Sequence, residues 1–257
     1  MQSELTIPLG TLYSFVLVLI RVAGVFTFLP IPGITAGPAA ARIVLSLAFT
    51  FALGSRWPEV DPAGVTTGVF VVWVLSEAAF GIVAGVLVGF TAEAIVMGAQ
   101  VLGLQAGYGY ASTIDPNTQA DSGILLVLAQ LLAGLLFFAL GLDRQLLTIF
   151  ANSLEVHPPG TWALGRTAAE ELIRAGSAVF STGLRLALPI TGMLLLVDLA
   201  LALVGRINAQ VQMVTVAFPL KMGLALSMLA WTLVAFPRVY EQHAGHIFGL
   251  IARLMAR

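Results

Sequence analysis

Seven ionisable residues stand in or beside apolar stretches of this sequence: Arg21, Glu77, Glu93, Arg185, Asp198, Arg206 and Lys221. A charge at the centre of a bilayer costs at least about 2.5–3.5 kcal/mol on insertion scales, so each must face protein, water or an opposite charge. Two chemistries are open to them. Glu77 and Glu93 could relay protons, as intramembrane carboxylates do in pumps. The plainer reading makes these residues buried ion pairs, hydrogen-bonded groups or contacts at subunit interfaces. Between the two glutamates, Gly81, Gly85 and Gly89 repeat at four-residue spacing, and Gly103 and Gly107 repeat it again. Absent side chains at that period let a second helix backbone approach closely, and packing is what associates helices in lipid. The facing helix belongs either to this chain or to a partner.

The stretch from Gly103 to Gln119 has a different character. Gly107, Tyr108, Gly109, Tyr110, Ser112, Asp115, Pro116 and Asn117 supply bends, bulk and uncharged polar groups, without one basic residue. Asp115-Pro116 ends any helix. Such a segment suits a pore-lining or re-entrant loop, and a solvent loop fits it equally well. No residue in it has the neighbours that acid–base or nucleophilic work requires. Elsewhere, His243 and His246 fall at helical spacing near Glu241 in a polar tail, which is expected to be a solvated face rather than a metal site. No nucleophile elbow, Walker loop or His-Glu-x-x-His motif occurs. There is no cysteine. We therefore expect no catalytic residue, no metal and no cofactor.

These residues must be positioned by membrane helices. Of 257 residues, 59% are apolar and 10% charged, with a mean hydropathy of +0.98, against about 25% charged in a soluble domain. Six apolar runs span roughly 9–29, 38–55, 66–92, 122–142, 178–204 and 210–236. Membrane strands would alternate polar and apolar residues, so the fold class is all-α and polytopic, with several helices broken by Gly or Pro. Pro30 to Pro38 reads as a tight apolar hairpin, and residues 144–175 as the long polar region, with a short amphipathic helix at Thr167–Arg174. The first run has no basic residue ahead of it and is expected to stay as a membrane anchor. Six spans with arginines concentrated on the side of both termini would place those termini in the cytoplasm. A net charge of −1 and the absence of a basic patch argue against nucleic acid.

In order and spacing, several of these features resemble the FliR family of flagellar and injectisome export-gate proteins. They are Arg21-Val22-Ala23-Gly24 with the Pro-rich hairpin and Arg42, Glu77 with Gly81, Gly85 and Gly89, and Gln100 to Gly107 leading to Asp115-Pro116. Ala187-Leu188-Pro189, Asp198, and Arg206 through Phe218-Pro219-Leu220-Lys221 complete the set. After Arg206 the family commonly has Pro-Gln and an asparagine, where this chain reads Ala209-Gln210 and Gln212. The resemblance implies one membrane domain over 1–257, with about 1–177 packed like a FliP subunit and 178–257 like a FliQ hairpin. It further implies an inner-membrane gate assembled with FliP and FliQ homologues and served by FlhB and FlhA homologues. Exported flagellar proteins pass through that gate, and a loop corresponding to Gly107–Ser122 plugs the closed pore. The competing class is a secondary transporter or ion channel using intramembrane carboxylates. Such proteins usually carry an internal repeat, and none is visible here.

Overall fold

A computed structural model describes residues 8–30, 39–108, 124–207, 213–234 and 236–255. Among them, eight α-helices and no strands are found: α1 Leu9–Phe28, α2 Ala39–Ala52, α3 Thr67–Ala106, α4 Ile124–Ala139, α5 Leu142–Val156, α6 Arg166–Ile207, α7 Met213–Thr232 and α8 Phe236–Met255. The Pro30 hairpin, beyond Pro30 itself, lies outside the described residues, as does the loop from Gly109 to Gly123.

Three helices (α1, α3 and α6) are long and apolar enough to cross a membrane, or up to five spans if the bent pairs α4–α5 and α7–α8 each count as one. The six apolar runs of the sequence fall on α1, α2, α3, α4, α6 and α7. At 1.5 Å per residue, α2 reaches only about 21 Å, short of a hydrocarbon core of about 30 Å. By the same arithmetic α3 and α6, with 40 and 42 residues, each reach about 60 Å, twice that thickness. The third apolar run thus extends through residue 106 as one helix. The short helix expected at Thr167–Arg174 is the opening of α6. Most of the polar region is helical too. In α5, Leu142, Leu146, Phe150, Ser153 and Leu154 are buried, so its polarity marks the opposite face of an amphipathic helix. Gly141, at φ +67°, takes the left-handed conformation that glycine adopts without penalty and separates α4 from α5, which diverge by 64°.

The chain divides into two compact units that interleave along the sequence. One comprises residues 1–90, 137–175 and 245–257; the other 91–136 and 176–244. In the first, Leu17, Val18, Val22 and Val25 of α1, Phe80, Ala84 and Leu87 of α3, and Ile247 and Ile251 of α8 are buried. Aromatic contacts tie this core together, with Phe80 against Phe150 at 6.3 Å and against Trp162 at 5.3 Å between ring centroids. In the second unit, Leu102, Ala106, Ala187, Ile190, Leu194 and Ala225 form a core of α3, α6 and α7 residues. Its small residues allow close helix approach. Pro189 and Pro219 stand inside α6 and α7, a position membrane helices tolerate when neighbouring groups or local backbone adjustment satisfy the freed carbonyl.

The polar tail is α8, and His243 in it is buried at 8% exposure, with Nδ1 3.3 Å from the Thr182 hydroxyl. The expectation that both tail histidines lie on a solvated face is corrected for His243. Three residues apart on a helix is close to one face but not identical with it, and His246 is exposed.

Candidate functional site

In the first unit, Arg21 and Glu77 are both fully buried. The Arg21 side chain donates through Nε to one Glu77 carboxylate oxygen and through Nη2 to the other at 2.9 Å, the bidentate geometry that suits guanidinium to carboxylate. Its remaining donors are also used. Nη1 reaches the Ser153 carbonyl at 3.1 Å and hydroxyl at 3.2 Å, and Nη2 reaches the His157 carbonyl at 3.0 Å. The guanidinium carbon stands 4.4 Å from the Phe80 ring centroid, a cation–π contact. Glu77 accepts a further bond from the Gly160 backbone N–H at 3.2 Å. One buried clamp therefore fastens α1, α3, the end of α5 and the turn that follows it.

Local chemistry explains why the backbone can come so close. Gly160 has φ +79°, and a Cβ there would overlap the Trp73 indole. The helix facing Gly81, Gly85 and Gly89 is α1 of the same chain. A Cβ on Gly81 would overlap the Arg21 carbonyl; on Gly85 it would lie 2.8 Å from the Gly24 carbonyl oxygen, and on Gly89 3.2 Å from that of Phe28. The glycine stripe thus brings Arg21 within reach of Glu77, one α3 turn before Gly81. Burial, with the Arg21 charge adding to it, pulls the His157 imidazole below its ordinary 6.5, against the opposing effects of a backbone hydrogen bond at Met255 and of Glu77.

A second polar cluster stands in the other unit. Lys221 donates to the Asp198 carboxylate at 3.0 Å, and Gln105 donates to the same carboxylate at 3.3 Å. Lys221 is 13% and Asp198 40% exposed at the side chain. The Tyr108 hydroxyl donates to the Met222 carbonyl at 3.5 Å, and a Cβ on Gly107, at φ +85°, would press into the Phe218 ring. The end of α3 is in this way fixed to α6 and α7.

The sequence of this chain matches a family model described as bacterial export proteins, family 1, over residues 12–247. The chain belongs to that family. Similar proteins include the flagellar biosynthetic protein FliR of Escherichia coli strain K12, 28% identical over 93% of this chain and 91% of that one. FliR of Aquifex aeolicus is 26% identical over 88% and 87%, and FliR of Bacillus subtilis is 24% identical over 84% of each. The matched span runs from α1 into α8, so this export-family member carries both clusters inside the shared region.

The remaining expected residues fall apart from the clusters. Glu93, Arg185 and Arg206 are exposed, and no ion pair joins any of them among the described residues. Gly103 comes no nearer than 4.0 Å, counted from an added Cβ, to Leu125. Gly109, Tyr110, Ser112, Asp115, Pro116 and Asn117 lie outside the described residues. Sequence reasoning missed Ser153 and Gly160 as members of the clamp. The one signal for Gly160 was its place in His157-Pro158-Pro159-Gly160, a turn with restricted and permissive residues side by side.

Proposed function

We propose that this chain is a core subunit of the flagellar type III export gate in the bacterial inner membrane, forming with FliP and FliQ homologues the channel that passes unfolded flagellar proteins. The observation that carries the reading is the family match over residues 12–247. Two features of the chain support it. Helices α3 and α6 are each about twice as long as a hydrocarbon core is thick, which suits a subunit that rises beyond the membrane plane. The apolar window of α6 is only 17% buried, with Leu195, Leu196, Leu199 and Leu203 all more than half exposed, a surface that lipid or sister subunits must cover.

In this reading about 1–177 packs as a FliP-like portion and 178–257 as a FliQ-like hairpin, and FlhB and FlhA homologues attach to the assembled gate. Residues 107–122 obstruct the closed pore, and the cluster of Gln105, Tyr108, Asp198 and Lys221 holds the start of that loop in place. The chain is a channel component and not an enzyme.

The test has two parts. A tagged chain expressed from its native locus should co-purify with FliP and FliQ homologues after mild detergent extraction, and its deletion should stop flagellar secretion and motility. Isolation as a stable monomer with secretion unaffected by deletion overturns the assignment. Shortening the 109–121 segment should admit small solutes when the gate is assembled at normal levels, with secretion retained or partly reduced. An assembled gate that stays sealed refutes the plug.

A further inference from the structure

His157 follows α5 and begins a strap, residues 157–162, that closes over the clamp of the first unit. Its carbonyl accepts from Arg21 Nη2, the Gly160 N–H donates to Glu77, and the Trp162 carbonyl accepts from the Ser76 hydroxyl. Pro158 and Pro159 have no N–H to give, so the attachment of the strap to α1 and α3 rests on these bonds and on Trp162 against Phe80.

The His157 ring belongs to the same closure. The residue is 9% exposed, and its ring centroid stands 6.3 Å from that of Phe80, the ring that also carries the Arg21 guanidinium. Nε2 is buried and has no hydrogen-bond partner among the described residues. A neutral imidazole tolerates this with one nitrogen as an idle acceptor. An imidazolium carries N–H on both nitrogens and would leave a charged donor unpaired there. It would also set a second cation beside Arg21, whose carboxylate partner Glu77 is already engaged through both oxygens. Burial, and after it the Arg21 charge, hold the imidazole below its ordinary 6.5, the direction this geometry requires.

Room for another ring position lies alongside. His157 lines a recess of about 560 Å³ together with Thr161, Thr167, Glu171 and Arg253. Glu171 on α6 is half-buried and forms no ion pair among the described residues. Arg253 on α8 opposes an imidazolium in that space, but it is exposed and its charge is screened by water and salt. On α5 itself, Glu155 is paired with Arg56.

We propose that His157 is a proton-operated latch for this strap: the neutral ring stays packed beside Arg21, and the protonated ring turns into the recess onto Glu171, so that residues 157–162 come away from α1 and α3. The device is built within the first unit and is independent of the export reading. Its sign follows from linkage. The closed form binds a proton less readily than the open form, so acid favours opening. Below both titrations, the opening equilibrium rises about tenfold for each pH unit by which the closed form titrates under 6.5.

The experiment titrates the full-length chain in detergent from about pH 7.5 to about 4.5, bracketing the histidine range. NMR of isotope-labelled histidine follows the three imidazoles, and the resonance lost in His157→Gln assigns the signal. Hydrogen exchange over residues 153–162, corrected for its intrinsic pH dependence, reads opening in the same samples. His157 should titrate below 6.5, protection of the strap should fall with it, and His157→Gln should stay protected throughout. Glu171→Gln should lower the midpoint by about half a unit, a roughly threefold loss of proton affinity on the scale of a part-exposed ion pair, with protection at neutral pH unchanged. Should His157→Gln not fold, His243→Gln and His246→Gln assign the resonance by elimination, and the titrations of the parent and of Glu171→Gln decide. A midpoint at or above 6.5, strap protection unchanged through the titration, acid opening that persists in His157→Gln, or a midpoint unmoved by Glu171→Gln would each overturn the proposal.

Discussion

The Arg21–Glu77 clamp makes a quantitative statement about stability that a double-mutant cycle can check. Replacing Glu77 with Gln leaves a fully buried guanidinium without its carboxylate, and breaking a buried pair from one side costs about 3–5 kcal/mol. Arg21→Met strands the carboxylate and should cost about as much, so the two single changes sum to about 6–10 kcal/mol. The double variant removes both charges. What remains is the His157 carbonyl without the Arg21 donor and the Gly160 N–H with a poorer acceptor, at roughly 1–3 kcal/mol each. The Ser153 carbonyl loses less, because it also accepts the His157 N–H at 3.0 Å. The double change should therefore cost about 2–6 kcal/mol, which on the midpoints of the two ranges is about 4 kcal/mol below the sum of the singles. Reversible unfolding in mixed micelles, followed by circular dichroism for all four proteins, measures the cycle. Single variants within about 1 kcal/mol of the parent, the usual value of an exposed pair, or strict additivity, would refute the argument that this pair is buried and mutually dependent.

Further outcomes follow from other contacts. Gly85→Ala should destabilise by about 1–3 kcal/mol through overpacking against the Gly24 carbonyl, less the helix propensity it gains, and Gly85→Leu should prevent folding or assembly; thermal unfolding and co-purification report both. An added Cβ meets nothing within 4 Å at Gly249, so Gly249→Ala should raise stability by about 0.4–1 kcal/mol in the same unfolding assay. Asp198→Leu, which strands the more buried Lys221, should disturb the end of α3 more than Lys221→Leu does, as measured by hydrogen exchange of residues 101–106. The folded state holds the His157 imidazole below 6.5, so the unfolded chain binds more protons as pH falls through that value. Stability should be undiminished above about pH 6.5 and decline below it, and His157→Gln should flatten the decline; an unchanged slope removes His157 as its source.

Composition and the run lengths of apolar residues are enough to make this chain a helical membrane protein, because only hydrogen-bond-complete helices satisfy so apolar a backbone. The same residues place Arg21, Glu77 and Asp198 in surroundings where a lone charge is untenable. Which charges meet was not legible. Arg21 and Glu77 are 56 residues apart, and their pairing depends on how far α1 can sink onto α3, a distance set by Gly24, Gly81 and Gly85 together. The length of α3 was hidden as well, since apolar character fades after residue 92 while helical hydrogen bonding continues to Ala106. In the tail, one face of α8 carries the polar residues and the other buries Tyr240, Ile247 and Ile251. Local sequence sets that amphipathic pattern, but only tertiary packing decides which side is inside, and it put His243 there.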